Sequence, residues 1–123
     1  MPEEPSPMYV RTNFTPLRMI SGQKDPVNLQ VSVTNRTESP RGYSVSVKAP
    51  SKFGFDKAGL MGEKRIRIGF ITPRETKSAV FNVYGKLGVP AGLYDLDVMV
   101  REHEERFDKV TALQRVVATL RVE

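Results

Sequence analysis

The chain contains no cysteine. No disulfide can hold it together, and no thiolate is present to attack a substrate or bind a metal. That suits a reducing cytosol, although exported β domains also do without cysteine. Tryptophan is absent and tyrosine occurs four times, so the exposed rings on which sugars stack are scarce. Histidine occurs once, at His103, and a zinc site built from imidazole and thiolate is excluded. Gly54, Gly59 and Gly62 are too irregularly spaced for a phosphate-cradling loop, and no helix pattern follows them. No apolar run approaches the roughly 18 residues of a membrane helix, so no membrane insertion is expected. The opening Met-Pro-Glu-Glu-Pro-Ser-Pro has neither the basic start nor the apolar stretch of a signal peptide. As written, the chain is expected to be soluble and cytoplasmic, or at the cell surface if it is a piece of a longer exported protein.

What remains is a globular composition. The 123 residues are 39% hydrophobic and 27% charged, which fits one domain with a core of its own. Residues 1–7, with three prolines, read as a flexible tail, and residues 8–123 as the domain. Within the domain, apolar residues recur with period two. Val27, Leu29, Val31 and Val33 alternate with Asn28, Gln30, Ser32 and Thr34. Tyr43, Val45 and Val47 alternate with Ser44, Ser46 and Lys48, and Ile66, Ile68 and Phe70 with Arg65, Arg67 and Gly69. Further runs centre on Phe81, Val98 and Ala118, and a split strand covers 8–14 and 17–20, broken at Pro16. Strands with one apolar and one polar face bury a single side. The pattern predicts an all-β sandwich of about seven antiparallel strands in two sheets. Residues 101–115 also carry apolar residues at three-residue spacing, compatible with a short helix, but the clean alternation on both sides predicts a charged hairpin loop at 103–110. Phe53 and Phe55, in the longest irregular stretch (50–64), are expected to fold back onto the core edge.

The run Val89-Pro90-Ala91-Gly92-Leu93-Tyr94-Asp95-Leu96-Asp97-Val98 and the earlier Val27-Asn28-Leu29-Gln30-Val31-Ser32-Val33-Thr34-Asn35 after Gly22 resemble CARDB-like, prokaryotic immunoglobulin-like domains. The Thr72-Pro73-Arg74-Glu75-Thr76 turn fits the same pattern. The resemblance spans about residues 22–122 and implies an immunoglobulin-like β-sandwich. It also implies a tyrosine corner, in which Tyr94 buries its ring and turns its hydroxyl to the backbone. Such domains usually sit in tandem within large exported proteins.

Candidate sites are sparse. His103 lies among glutamates with no framed nucleophile, and reads as a solvated loop residue. Asp95 and Asp97 share one strand face; they read as outward carboxylates answered by arginines across the sheet rather than as a cation site. Asn13-Phe14-Thr15 and Asn35-Arg36-Thr37 match the glycosylation acceptor pattern. Net charge is +5 and sequence pI near 9.7. The densest basic stretch, Lys64, Arg65 and Arg67 with Lys48, Lys52 and Lys57, could meet a polyanion, or could guard an edge strand against aggregation. Lys48, Lys64, Arg65 and Arg67 are the candidates for polyanion contact. No catalytic residue, metal or cofactor is expected, because no nucleophile, base and orienting group can be assembled. The expected function is a non-catalytic protein-interaction or scaffold module, whose partner is another protein, including a second copy paired at an edge strand. The alternative is nucleic-acid or other polyanion binding through the basic face.

Overall fold

A computed structural model describes residues 8–58, 60–86, 88–104 and 109–123. The expected tail at 1–7 and the centre of the 103–110 loop lie outside the described residues. The strands are β1 (Met8–Thr15), β2 (Arg18–Met19), β3 (Val27–Asn35), β4 (Arg41–Lys48), β5 (Phe53–Gly54), β6 (Glu63–Ile71), β7 (Thr76–Gly85), β8 (Gly92–His103) and β9 (Val110–Val122). Seven are long and two, β2 and β5, are two residues each. No helix occurs among the described residues; of the segment read as a hairpin loop or a short helix, residues 101–103 and 110–115 lie on the antiparallel strands β8 and β9.

The strands form two sheets, β1-β3-β7-β5 and β2-β9-β8-β4-β6. In constant-type immunoglobulin domains the fourth long strand joins the sheet of the first and second. Here β6 pairs with β4 instead. The chain changes sheets between β1 and β2 at a cis Thr15–Pro16 bond. The short β2 then runs parallel to the end of β9, through Arg18↔Arg121 and Met19↔Val122.

Alternation decides what is buried. Val27, Leu29, Val31, Val33, Phe81 and Val83 face inward from one sheet, and Tyr43, Val45, Val47, Leu96, Val98, Val100 and Leu120 from the other. Such interdigitated inner faces form the core of an aligned sandwich. Phe53 and Phe55 close it from the long loop, packing edge-on to Tyr94 at 4.9 Å and to Phe81 at 6.0 Å between centroids. Tyr94 makes the corner the sequence implied: its hydroxyl donates to the Pro90 carbonyl at 2.7 Å. Gly92 supplies the φ of 153° at the strand entry.

One run departs from the expected phase. On β6 the register slips between Tyr43↔Gly69 and Ser44↔Arg67, leaving Ile68 as the extra residue of a bulge. Gly69 adopts φ 100°, which a side-chain-bearing residue would resist. Past the bulge the faces exchange. Ile71 is therefore buried, and Phe70, read as a core residue, is 46% exposed.

Asn35 closes the β3–β4 turn. Its amide nitrogen donates to the carbonyls of Ser39 and Ile71, at 2.9 and 2.8 Å, and its oxygen accepts from the Thr37 amide and hydroxyl. Both amide hydrogens are used and the residue is fully buried, so Asn35 is not placed to accept a glycan; Asn13 is exposed on β1.

Tyr94→Phe should lower stability by about 1 kcal/mol, the net worth of one hydrogen bond. Asn35→Ala should cost about 3 kcal/mol, since it leaves several buried groups unpaired. Urea unfolding checks both, and the second loss should exceed the first.

Candidate interaction surfaces

The outer face of the five-stranded sheet collects most of the charge. Cross-strand register lays its side chains in rows over β6, β4, β8 and β9. One row reads Arg67, Ser44, Arg101, Leu113. The next reads Arg65, Ser46, Met99, Arg115. A third reads Glu63, Lys48, Asp97, Val117. Strands lie about 4.8 Å apart and same-face rows about 7 Å apart. Four arginines thus occupy two adjacent rows that hold no acidic side chain. Arg65 donates to Ser44 Oγ at 3.2 Å and Arg101 to Ser46 Oγ at 3.0 Å, which fixes two of the guanidinium stems. A shallow cleft of about 390 Å³ opens across these rows, lined by Arg101 and Arg115 on one side and by Lys48, Glu63 and Asp97 on the other.

The candidates named from sequence separate on this frame. Arg65 and Arg67 share the face. Lys48 reaches it too, but in register with Glu63 and Asp97. Lys64 alternates to the other side of β6, with Ile66. Lys52 and Lys57 sit on the long loop, where Lys57 joins Lys24 and Lys86 around a separate cleft. Asp95 is answered across the sheet by the Thr119 hydroxyl at 2.8 Å rather than by an arginine. Asp97 has Lys48 and Val117 as its neighbours. Arg101 and Arg115 were missed because they lie far from Arg65 in sequence; only strand pairing joins them.

His103 is not a solvated loop residue. Strand β8 runs through it, and it is fully buried opposite Gly42, which has no side chain to compete for the space. Its Nδ1 lies 3.1 Å from the Lys109 carbonyl and must donate there. In the neutral ring Nε2 then accepts from Ser44 Oγ at 2.9 Å. The pair has the spacing of a nucleophile and its base. Yet Ser44 and His103 are both 0% exposed, so no substrate reaches the hydroxyl. Their work is to tie the base of the hairpin to β4. Burial, followed by the charges of Arg65, Arg67 and Arg101, holds the His103 pKa below the ordinary imidazole value, against the bond to Lys109.

Glu102, one residue earlier, points inward and is 4% exposed. It accepts from Tyr43 at 3.1 Å and Thr111 at 3.0 Å. Burial and the Glu102 charge push the Tyr43 phenol well above its usual range. Arg41 bridges to Glu104 nearby, at 3.2 Å.

The second surface is an edge. Strand β9 has β8 on one side, while β2 covers only Arg121 and Val122 on the other. Among the described residues, the positions of β9 from Val110 to Leu120 pair in strand register with β8 alone. Val110, Leu113 and Val117 are 50%, 50% and 56% exposed along this stretch.

No family model matches the chain, and no curated protein matches it. Solved structures do. A domain of Escherichia coli alpha-2-macroglobulin in its native conformation aligns with a TM-score of 0.65 at 13% identity, over 97% of this chain. The chain spans only 7% of that protein. The self-complemented major subunit MyfA of Yersinia enterocolitica Myf fimbriae aligns at 0.54 and 18% identity, over 94% of this chain and 98% of that one. The same subunit in complex with galactose aligns at 0.53 and 17% identity. Together with the two sheets, these likenesses define the class as an all-β, immunoglobulin-like sandwich.

Because the His103 pKa is lower in the folded chain, the unfolded chain takes up its proton first as pH falls. The stability that neutral His103 contributes is present above about pH 6.5, the unfolded imidazole value, and is lost as pH falls toward the folded value. Urea midpoints measured across pH 8 to 5 should decline for the native chain, and decline less for His103→Gln.

Proposed function

We propose that this domain is a non-catalytic protein-interaction module that takes up a partner strand along β9. One observation carries the reading: β9 is a long edge strand that, beyond an irregularity at Thr111, stays regular to Leu120 with neither proline nor bulge. Free edges are normally blunted by charge, proline, bulges or a covering element. Strand β6, the opposite edge of the same sheet, has Lys64, Arg65, Arg67 and a bulge. Residues 110–120 of β9 have no proline and one charged residue, Arg115, and they expose three large apolar side chains. A regular edge strand that exposes apolar side chains is the template for strand addition, in which main-chain bonds give affinity and alternate side chains give specificity.

The fold likeness to a fimbrial subunit and a macroglobulin domain supports a binding role at the level of architecture only. Membership among CARDB-like domains is part of the proposal and rests on the residue motifs around Tyr94 and Val27. The partner is another protein chain, a second copy included.

Short extended peptides selected on the immobilised domain should slow amide exchange across residues 110–120, and Leu113→Lys with Val117→Lys should weaken the selected binder about tenfold or more. Selection yielding no peptide that protects β9, together with a chain that stays monomeric at high concentration, would overturn the proposal.

A further inference from the structure

Resting on that interaction reading, we infer that the arginine rows beside β9 select a partner segment carrying acidic and apolar side chains. Arg65, Arg67, Arg101 and Arg115 come from three different strands and meet on one face. Two of them are anchored on the serines of β4 that lie between them, Arg65 on Ser44 and Arg101 on Ser46. Around them stand Met99, Leu113 and Val117, and the β6 bulge adds Phe70 to the same side, in register with Gly42. Buried interface cores are enriched in arginine, methionine and aromatic residues and depleted in lysine and acids. The two rows hold four arginines, one methionine, one leucine and two serines, with no lysine and no acid.

The rows also indicate which anion fits. Guanidinium forks bind carboxylates and phosphates alike. Single-stranded nucleic acid, however, draws on a series of exposed rings for its bases, of which this face offers Phe70, and the phosphate backbone of a duplex has no apolar groups to set against Met99, Leu113 and Val117. A sulfated glycan has no apolar groups to set against Met99, Leu113 and Val117. A peptide whose acidic and apolar residues stand two apart satisfies both demands, because both kinds then lie on one face at about 7 Å, the spacing of the arginine rows. Added along β9 with an acid directly across from Arg115, where opposite charges are favoured, it would set apolar residues beside Leu113 and Val117.

The test uses the intact domain and four probes: a short capped peptide repeating valine-threonine-glutamate-threonine, its counterpart with lysine for glutamate, oligo-dT and a heparin fragment. Anisotropy at about 0.15 M salt should rank the glutamate peptide first. The exposed double variant Arg67→Glu/Arg115→Glu, with the melting curve of the native chain, should weaken that peptide at least tenfold, and Arg67→Gln/Arg115→Gln should weaken it less. Unchanged affinity in the charge-reversed variant, or tighter binding of oligo-dT or heparin, overturns the inference. Amide exchange separates the two readings. A glutamate peptide that needs the arginines but leaves residues 110–120 unprotected keeps the arginine face and sinks strand addition. Uncharged peptides that protect β9, with no preference for acid, do the reverse.

Discussion

Each long strand of this domain has one face that must leave water, and the packing of the two inner faces against each other constrains everything else. Leu29, Val31 and Phe81 on one side meet Val45, Leu96 and Leu120 on the other, all fully buried. Because the side-chain period is two, burying one set commits the alternate set to solvent. The arginine rows are a consequence: they are the residues left outside when Tyr43, Val45, Val98 and Val100 go in. The β6 bulge obeys the same constraint. Without the extra residue, Ile71 would point outward and Phe70 inward; with it, Ile71 is retained in the core and Phe70 joins the outer face.

Two polar side chains that enter the interior are answered by hydrogen bonds. Glu102 lies on the inward phase of β8, where an unpaired carboxylate would be costly; Tyr43 and Thr111 donate to it. On the outward phase, His103 is covered and held by Ser44 and the Lys109 carbonyl. These bonds connect β4, β8 and β9 at the hairpin base. The strand offered to a partner and the strand bearing two of the row serines are thereby held in one register.

Edge treatment divides the molecule into a guarded and an unguarded side. Strand β6 combines basic residues with a bulge, while β9 stays regular through residues 112–120, with Leu113 and Val117 exposed on either side of Arg115. Arg115 and Leu113 belong to both the edge and the arginine rows. A partner strand on β9 would therefore extend the charged face rather than cover it, and main-chain pairing and side-chain selection would act on the same segment.

Much of the architecture was legible in residue order. Alternation marked the long strands, Pro16 marked the break between β1 and β2, and the Pro90–Tyr94 corner appeared where its residues stood. These features are local: a period of two, a missing amide proton, or a hydroxyl bonding four residues back can each be read from neighbours in the chain. Phe70 was misread because a bulge adds one residue and reverses every face beyond it, and only the pairing with β4 reveals that. His103 was misread because its burial depends on Gly42, which is distant in sequence. The meeting of Arg65 and Arg67 with Arg101 and Arg115, and the departure of Lys64 from them, followed from strand order and register. Those are long-range properties, set by which strands pair, and the alternation of a single strand carries no information about its neighbour.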